Sequence, residues 1–219
     1  MPSKPIANLV KVLIVDDHPM MRGALRDIIK SHGAMEVCGE AETAAQVRKL
    51  VKSANPQVVL MDIALPDANG IDVVRELKAL YPKVLFLVFS MHDEATYALR
   101  ALRAGASGYV MKTQADETLI DAISQVLEGK IFVNQKLRDQ LLLQLLETKS
   151  SSPVEQLSDR ELEVFRAIGE GKTTRQIAGQ LNLSLKTIQA YRERIKTKLG
   201  IENANSLVQQ AAQWMSSNL

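Results

Sequence analysis

Short apolar runs recur through the first half of the chain, and each is followed by a stretch whose apolar residues have helical spacing. Most of the runs show no alternation of apolar and polar positions, which is typical of strands buried on both faces. The pattern predicts strands at 11–15, 35–41, 58–61, 84–89 and 108–111, and helices at 20–31, 44–53, 71–80, 93–104 and 115–127. Strands that alternate with helices favour a parallel sheet with right-handed crossovers.

Five repeats of this unit predict an α/β fold class, a doubly wound five-stranded parallel sheet of the flavodoxin-like strand order 2-1-3-4-5. In that order the first and third strands are neighbours, and ligands bind at the carboxyl ends of the strands there. Asp16 and Asp17 follow the first strand, and Asp62 follows the third. Ser90 and Lys112 follow the fourth and fifth strands, so we expect all five side chains at one edge of the sheet.

The chain from Leu157 onward carries helix signals only. Leu157, Ser158 and Glu161 form a capping box with a hydrophobic staple, which begins a helix. Further caps at Thr173 and Ser184 begin two more helices joined by a short turn, and a last helix follows. Two helices in this arrangement form a helix-turn-helix, so the second half is predicted to be an all-α helix-turn-helix domain.

A polar stretch, Lys149–Pro153, separates the two halves and predicts an interdomain linker. We therefore divide the chain into a first domain at 1–130, a linker at 131–156 and a second domain at 157–219. Within the linker, leucines at helical spacing predict an amphipathic helix over 134–147. This leucine stripe either packs within the chain or serves self-association, and both interpretations remain open.

The formal net charge of the chain is only +2, so it does not indicate a binding partner. The distribution of charge along the chain is more informative. From Lys172 to Lys198 there are seven basic residues and one acidic residue, Glu193, which favours nucleic-acid binding over a solvated helix face. The single cysteine, Cys38, excludes an internal disulfide and fits a reducing cytosol. The sequence shows neither a membrane-span pattern nor a signal-peptide pattern, so we expect a cytoplasmic protein with no membrane partner.

Three carboxylates, a hydroxyl and an ammonium at one sheet edge suit phosphoryl transfer. Asp16, Asp17 and Asp62 offer the oxygen ligands that Mg²⁺ prefers, and the cation offsets their mutual repulsion. A carboxylate can accept a phosphoryl group covalently, and we assign that role to Asp62. Lys112 can pair with Asp62 before transfer and with a phosphate oxygen afterwards, while Ser90 can donate to another phosphate oxygen.

The added charge predicts a switch, because a phosphate brings roughly 1.5 to 2 negative charges and three acceptor oxygens. Ser90 could be drawn inward by the phosphate, and Tyr109 on the fifth strand could fill the space that Ser90 leaves. The face made by the fourth helix, the fifth strand and the fifth helix would then change. The alternative for Tyr109 is a core aromatic residue without a switching role.

Motifs in both halves resemble those of a known family. The motifs Val15–Pro19, Met61–Asp62, Asn69–Gly70, Gly105–Tyr109 and Lys112 resemble the receiver domain of two-component response regulators. The motifs Leu157–Glu163, Gly171, Ile177–Ala178, Thr187–Ile188 and Lys198–Gly200 resemble the LuxR-type helix-turn-helix. The combination resembles the NarL/FixJ family of response regulators over nearly the whole chain. It implies phosphotransfer from a sensor histidine kinase, a homodimer that controls promoters on double-stranded DNA, and Mg²⁺ bound by Asp16, Asp17, Asp62 and the Ala64 backbone.

The second helix of a helix-turn-helix enters the major groove with its N-terminal part facing the bases. The resemblance places Gln189, Ala190 and Glu193 there, where Gln can pair with adenine, Ala can contact a thymine methyl group and Glu can accept from cytosine. The side chains expected to contact the DNA backbone are those of Lys172, Arg175, Lys186, Thr187, Tyr191, Arg192, Arg194, Lys196 and Lys198. Such contacts set the register of the protein on DNA but not its sequence preference.

Two other functions compete with a phosphorylation-controlled transcription factor, which we do not expect to be an enzyme. A phosphatase of the haloacid dehalogenase type needs a second Asp two residues after the nucleophile, but Asp62 is followed by Ile63 and Ala64. A DNA-binding protein whose first domain only docks other proteins would bind DNA equally well with and without beryllofluoride, a phosphoryl mimic. The complete set of acidic residues favours the phosphate acceptor.

Overall fold

The computed structural model describes residues 9–135, 138–139 and 153–217, with the backbone alone at 114–117. The chain divides into two compact units, Met1–Leu142 and Leu143–Leu219. The strands and helices of the first unit, in chain order, are β1 (Val10–Val15), α1 (Pro19–His32), β2 (Met35–Ala41), α2 (Ala44–Ala54), β3 (Val58–Met61), α3 (Gly70–Leu80), β4 (Leu85–Ser90), α4 (Glu94–Arg103), β5 (Gly108–Met111) and α5 (Ala115–Leu127).

The five strands form one parallel sheet of order β2-β1-β3-β4-β5, which confirms the predicted fold class. Val15 of β1 lies opposite Met61 of β3, and the Asp62 backbone N–H donates to the Val15 carbonyl at 3.0 Å. Ser90 is the last residue of β4, where the sequence predicts it one position beyond the strand, because it pairs with Met111 of β5. The register brings the residues after β1 and β3 to the same edge.

Burial on both faces of the sheet explains why most of the strand sequences do not alternate. Ile14 of β1 and Leu60 of β3 pack with Leu25 of α1 and Ile123 of α5 in one core. Residues at the alternate strand positions, such as Val59, are buried as well. Full burial of such a side chain contributes about 1.5–3 kcal/mol to the stability of the fold. Because helices bury the side chains on both faces of the sheet, they stabilise it from both sides.

The second unit contains only helices among its described residues: α6 (Asp159–Gly169), α7 (Thr174–Gln180), α8 (Leu185–Leu199) and α9 (Ala204–Ser217). The predicted caps are present, since Ser158 and Glu161 form a capping box on α6 and Thr173 does the same for α7 with Gln176. Ser184 caps α8 by accepting from the Thr187 N–H at 3.0 Å. A short turn joins α7 to α8, which is the predicted helix-turn-helix.

Most of the predicted linker helix at 134–147 lies outside the described residues, as do the linker leucines Leu137, Leu141, Leu142, Leu145 and Leu146. Gln135, Arg138 and Asp139 are helical, and the Arg138 N–H donates to the Asn134 carbonyl at 3.0 Å. The division at 1–130, 131–156 and 157–219 stays a prediction.

Candidate functional site: an acidic sheet edge and a helix-turn-helix

Asp16, Asp17, Asp62 and Lys112 form one cluster at the carboxyl edge of the sheet, called the acidic site below. Lys112 Nζ lies 2.6 Å from Asp16 Oδ2 and 2.7 Å from Asp62 Oδ2. Asp16 is fully buried, Asp62 nearly so, and Lys112 is buried as well, whereas Asp17 is half-buried. One ammonium group thus faces two buried carboxylates, so these three groups together have more acidic than basic members.

The protonation behaviour of this cluster reflects burial and the shared ammonium group. Burial raises the pKa of the Asp62 carboxyl, although Lys112 and the Ala64 backbone N–H act in the opposite direction. Burial alone would lower the pKa of Lys112, but its contacts with Asp62 and Asp16 outweigh burial and raise it. Lys112 therefore remains a cation at neutral pH.

The donor atoms of the acidic site fit a hard divalent cation. One ligand atom from each of Asp16, Asp17, His18 and Asp62 lies within 4.8 Å of the others. Asp17 Oδ1 is buried, and no described residue donates a hydrogen bond to it, although His18 Nδ1 lies 2.6 Å away. His18 was not among the predicted ligands, and its side chain is 71% exposed.

The loop after β3 is shaped by a close approach to Asp62. A Cβ atom on Gly70 would lie 1.9 Å from the Asp62 carbonyl oxygen, so only glycine fits there. The Gly70 N–H donates to the Ile63 carbonyl at 2.8 Å, and Asn69 Oδ1 accepts from the Ile71 N–H at 2.8 Å to cap α3. The predicted use of the Ala64 backbone as a metal ligand stays a prediction.

Ser90 and Tyr109 lie side by side next to the acidic site. Both are buried, and their hydroxyl groups are within hydrogen-bonding reach. The Tyr109 hydroxyl donates to the His92 carbonyl at 2.7 Å, and Ser90 Oγ accepts from the His92 N–H at 3.2 Å. Burial raises the pKa of Tyr109 well above its usual value. Tyr109 is therefore directed inward here while Lys112 pairs with Asp62.

Arg22 was not predicted from the sequence, and it binds the backbone of Asp16 in the acidic site. Its side chain is buried and donates to the Asp16 carbonyl at 2.7 Å and to Glu42. The Arg22 Nε atom also lies 3.5 Å from Glu40 Oε2. A signal was available, because Arg22 has helical spacing with the buried residues Leu25 and Ile29 of α1.

The predicted base-reading residues are accessible on α8. Gln189, Ala190 and Glu193 are exposed, whereas Ile188 and Ile195 on the opposite side are buried. The helix therefore packs by its isoleucine face and presents the three predicted residues outward.

The predicted backbone-contact residues have different surroundings. Arg175, Lys186 and Arg194 are exposed, and Thr187, Tyr191 and Arg192 are half-buried. Lys172 pairs with Glu170 at 2.7 Å, and Lys196 pairs with Glu193 at 2.8 Å. Lys198, in contrast, binds Glu161 at 2.6 Å and the Gln156 carbonyl at 3.2 Å, which gives it a structural contact with the start of α6.

Comparisons with known proteins agree with both halves of this description. The family model described as response regulator receiver domain matches residues 12–124, and that of bacterial regulatory proteins, luxR family, matches residues 155–211. Among curated proteins, the response regulator UvrY of Escherichia coli K12 is 32% identical over 194 residues, covering 88% of this chain and 89% of UvrY.

Solved structures with similar folds include RcsB bound to DNA. A structure of two RcsB dimers bound to two parallel DNAs is 28% identical, covers 92% of this chain and 97% of the RcsB chain, and has a TM-score of 0.57. RcsB of Salmonella enterica serovar Typhimurium, bound to a promoter in the presence of the phosphomimetic BeF₃⁻, is 25% identical with a TM-score of 0.64 and covers 94% and 99% of the two chains. Among the described residues, no helix is long and apolar enough to cross a membrane.

Proposed function

The chain belongs to the response regulators that join a receiver domain to a LuxR-type DNA-binding domain, and we propose that Asp62 accepts a phosphoryl group from a sensor histidine kinase. Phosphorylation then controls how the C-terminal helix-turn-helix binds promoter DNA. Proteins of this family are transcription regulators and not enzymes.

The ion pair between Lys112 and Asp62 is the observation that carries the proposal. A buried carboxylate lies here at the carboxyl edge of a parallel sheet, 2.7 Å from an ammonium group that can neutralise an incoming phosphoryl group. Asp16 lies on the other side of the same ammonium, at 2.6 Å. Catalysis of phosphoryl transfer depends mainly on such positioning and charge neutralisation.

In the transfer, an Asp62 carboxylate oxygen forms a bond to phosphorus while the bond between phosphorus and the kinase histidine nitrogen breaks. The histidine keeps the electron pair of that bond, and the product on Asp62 is an acyl phosphate. Lys112 can move from the carboxylate to a phosphoryl oxygen, so that its charge stays paired throughout. No proton has to be removed from Asp62 when it attacks as a carboxylate.

The acidic site fits Mg²⁺, because one ligand atom from each of Asp16, Asp17, His18 and Asp62 lies within 4.8 Å of the others and carboxylate oxygens are ligands that Mg²⁺ prefers. Asp16, Asp17, Asp62 and the backbone of Ala64 would hold the ion. When bound, Mg²⁺ supplies charge neutralisation for the transferring group.

Ser90 and Tyr109 are proposed to respond to the phosphoryl group. Ser90 Oγ is within reach of Tyr109 and accepts from the His92 N–H, so a new bond from Ser90 to phosphate alters the contacts at the start of α4. The face formed by α4, β5 and α5 is then different in the two states.

Promoter recognition is proposed for α8, with Gln189, Ala190 and Glu193 facing the bases. The exposed basic residues on α7 and α8 would hold the sugar–phosphate backbone. The similar RcsB protein binds DNA as dimers, and we propose that this chain also acts as a homodimer. We propose that the protein acts in the cytoplasm, where it would encounter both the kinase phosphohistidine and promoter DNA.

Phosphate labelling of Asp62 tests the proposal. Full-length protein is incubated with acetyl phosphate and Mg²⁺, and intact mass spectrometry measures the phosphoryl adduct. We expect an adduct in wild type and in the control Asp72→Asn, an exposed carboxylate on α3, but none in Asp62→Asn. An adduct that persists in Asp62→Asn would overturn the assignment.

A further inference from the structure

Hydrogen bonds join Ser90 and Tyr109, beside the acidic site, to the turn between β4 and α4. The Tyr109 hydroxyl donates to the His92 carbonyl at 2.7 Å, and the His92 N–H donates to Ser90 Oγ at 3.2 Å. His92 is therefore held through both of its backbone polar groups. The two residues that hold it are those expected to respond to phosphate on Asp62.

Glu94, the first residue of α4, follows His92 by two positions in the chain and makes a contact of its own with Asn134. Its carboxylate accepts from the Asn134 backbone N–H at 2.8 Å and from the Asn134 side-chain amide. Glu94 is only 5% exposed, and burial raises the pKa of its carboxyl although the Asn134 donors act against that. Breaking the contact would leave the buried Glu94 carboxylate without these two donors, which is unfavourable.

Asn134 stands where the sequence predicts that the linker helix begins. Its carbonyl accepts from the Arg138 N–H at 3.0 Å, the spacing of a helical hydrogen bond. Because the first N–H groups of a helix have no partner within it, a carboxylate bound there both satisfies donors and complements the helix dipole. Glu94 thus acts as a cap supplied by another element of the receiver.

The residues just before Asn134 are held by the sheet instead. The Phe132 N–H donates to the Ser107 carbonyl at 3.1 Å, and the Tyr109 N–H donates to the Phe132 carbonyl at 2.8 Å. A Cβ atom on Gly108 would lie 2.6 Å from the Phe132 oxygen, so glycine allows this close pairing. The segment therefore has one anchor on β5 and a second anchor on α4.

We propose that Glu94 and Asn134 form a clasp through which the phosphorylation state of Asp62 reaches the interdomain linker. The inference rests on the proposed phosphorylation of Asp62. When Ser90 turns to a phosphoryl oxygen, its bond to the His92 N–H changes, and the turn that leads into Glu94 shifts. Phe132 stays paired with β5, so the path of the chain changes at Asn134, where the linker helix is predicted to begin.

The clasp residues belong neither to the acidic site nor to the helices that are expected to contact DNA. Glu94 and Asn134 contribute no ligand atom to the acidic site, and neither lies on the helices expected to contact DNA. Loss of the clasp should therefore leave phosphate labelling and DNA contacts in place and remove only the communication between them.

The test measures DNA affinity of the full-length protein with and without beryllofluoride in the presence of Mg²⁺. The DNA is a fragment that wild type selects from a random double-stranded library. The variants are Glu94→Ala and Asn134→Ala, and the control is Glu128→Ala, an exposed carboxylate after α5. Acetyl phosphate labelling is measured in parallel and also reports whether each receiver is folded.

In wild type and Glu128→Ala we expect beryllofluoride to change the dissociation constant by about 5-fold or more, the usual range of allosteric coupling. In both clasp variants the change should fall below about 2-fold while labelling stays at the wild-type rate. Glu94→Gln keeps one oxygen acceptor and should retain an intermediate response.

Two results would contradict the clasp, and they differ from each other. Clasp variants that label normally and keep the full wild-type response show that Glu94 and Asn134 carry no signal. A wild-type protein that labels but binds DNA equally with and without beryllofluoride removes the proposed control of DNA binding itself, and the clasp with it.

Discussion

Lys112 and Asp62 are fifty residues apart in the chain and form a 2.7 Å ion pair at the carboxyl edge of the sheet. The same ammonium group reaches Asp16 at 2.6 Å, so one lysine balances two buried carboxylates. Because one lysine is shared in this way, the acidic site has more carboxylates than ammonium groups before any further cation binds. We therefore expect the stability of the receiver and its proposed phosphoryl transfer to depend on the same side chain.

Replacing Lys112 by Gln should destabilise the receiver and make it respond to Mg²⁺. Removing one partner of a buried ion pair costs about 3 kcal/mol, because the remaining charge is left unpaired. A bound divalent cation replaces the missing charge, so added Mg²⁺ should restore part of the free energy of unfolding. Urea unfolding followed by far-UV circular dichroism measures this, with Trp214 fluorescence identifying the transition of the second unit.

The control for this variant is Lys130→Gln, since Lys130 is exposed and pairs only with the exposed Glu128 among the ion pairs of the described residues. It should unfold like wild type. If Mg²⁺ stabilises Lys112→Gln no more than it stabilises wild type, the shared-charge explanation is wrong.

Arg22→Ala should weaken Mg²⁺ binding without removing a ligand. Arg22 donates to the Asp16 carbonyl at 2.7 Å, and we expect this bond to orient Asp16, a proposed ligand of the ion. Partners of this kind affect metal affinity by about 10–100-fold. The Mg²⁺ concentration at half-maximal acetyl phosphate labelling should rise accordingly, while the maximal extent of labelling at saturating Mg²⁺ is retained.

A conservative change distinguishes this positioning role from a general loss of structure. Arg22→Lys keeps one donor for the Asp16 carbonyl and should recover part of the Mg²⁺ affinity. Arg48→Ala removes a comparable arginine that pairs with Glu76 on the exposed surface, and it should leave labelling unchanged. An unaltered Mg²⁺ requirement in Arg22→Ala would show that Arg22 serves stability alone.

The residues of α8 and α7 that are proposed to contact bases and those proposed to contact the DNA backbone should respond differently to substitution. Gln189→Ala should reduce the free energy of DNA binding by about 1–3 kcal/mol and relax the base preference at one position of the site. Arg175→Ala should weaken binding to all sequences alike and reduce the slope of log affinity against log salt by about 1. Binding titrations on a selected site and its single-base variants, at several salt concentrations, measure both effects.

Gln209→Ala is the matched control, because Gln209 is exposed on α9 and lies outside the helix-turn-helix. It should bind like wild type. A Gln189→Ala protein that loses affinity equally for every site variant would place Gln189 among the backbone contacts instead.

The contact between Lys198 and Glu161 predicts an acid-sensitive second unit. Burial, the largest influence, raises the pKa of Glu161, but Lys198 and Ser158 outweigh it and lower the pKa. A carboxyl whose pKa is lowered by folding stabilises the protein above its unfolded pKa, here near the ordinary 4.5, and that stability is lost as pH falls through the folded value.

Lys198→Met should therefore lower the free energy of unfolding at neutral pH and reduce the loss of stability at acidic pH. The effect should be below about 1 kcal/mol, since solvent screens an ion pair whose lysine is partly exposed. Trp214 packs against Phe165 of α6 at 5.9 Å between ring centroids and reports urea unfolding of this unit in the full chain. Lys186→Met on the exposed face of α8 should keep the wild-type pH profile.

The sequence by itself determined the strands, their order and the edge where the chemistry lies. Runs such as Val58–Met61 lack alternation because helices cover both faces of the sheet, and this property is local to each strand. Asp16 and Asp62 could be placed together because the carboxyl ends of neighbouring parallel strands meet at one edge. The capping boxes at Ser158 and Thr173 were predictable because both partners lie within one turn.

Only the tertiary structure decided which side chains meet across the fold. Lys112 could have paired with Asp62 alone, but the reach of its side chain and the spacing of β1 and β3 give it both Asp16 and Asp62. The inward-facing Tyr109 hydroxyl bonds to the carbonyl of His92, 17 positions away. Glu94 bonds to Asn134, 40 positions away. Such contacts depend on rotamers and loop paths set by packing of the whole domain, which no short pattern in the sequence contains.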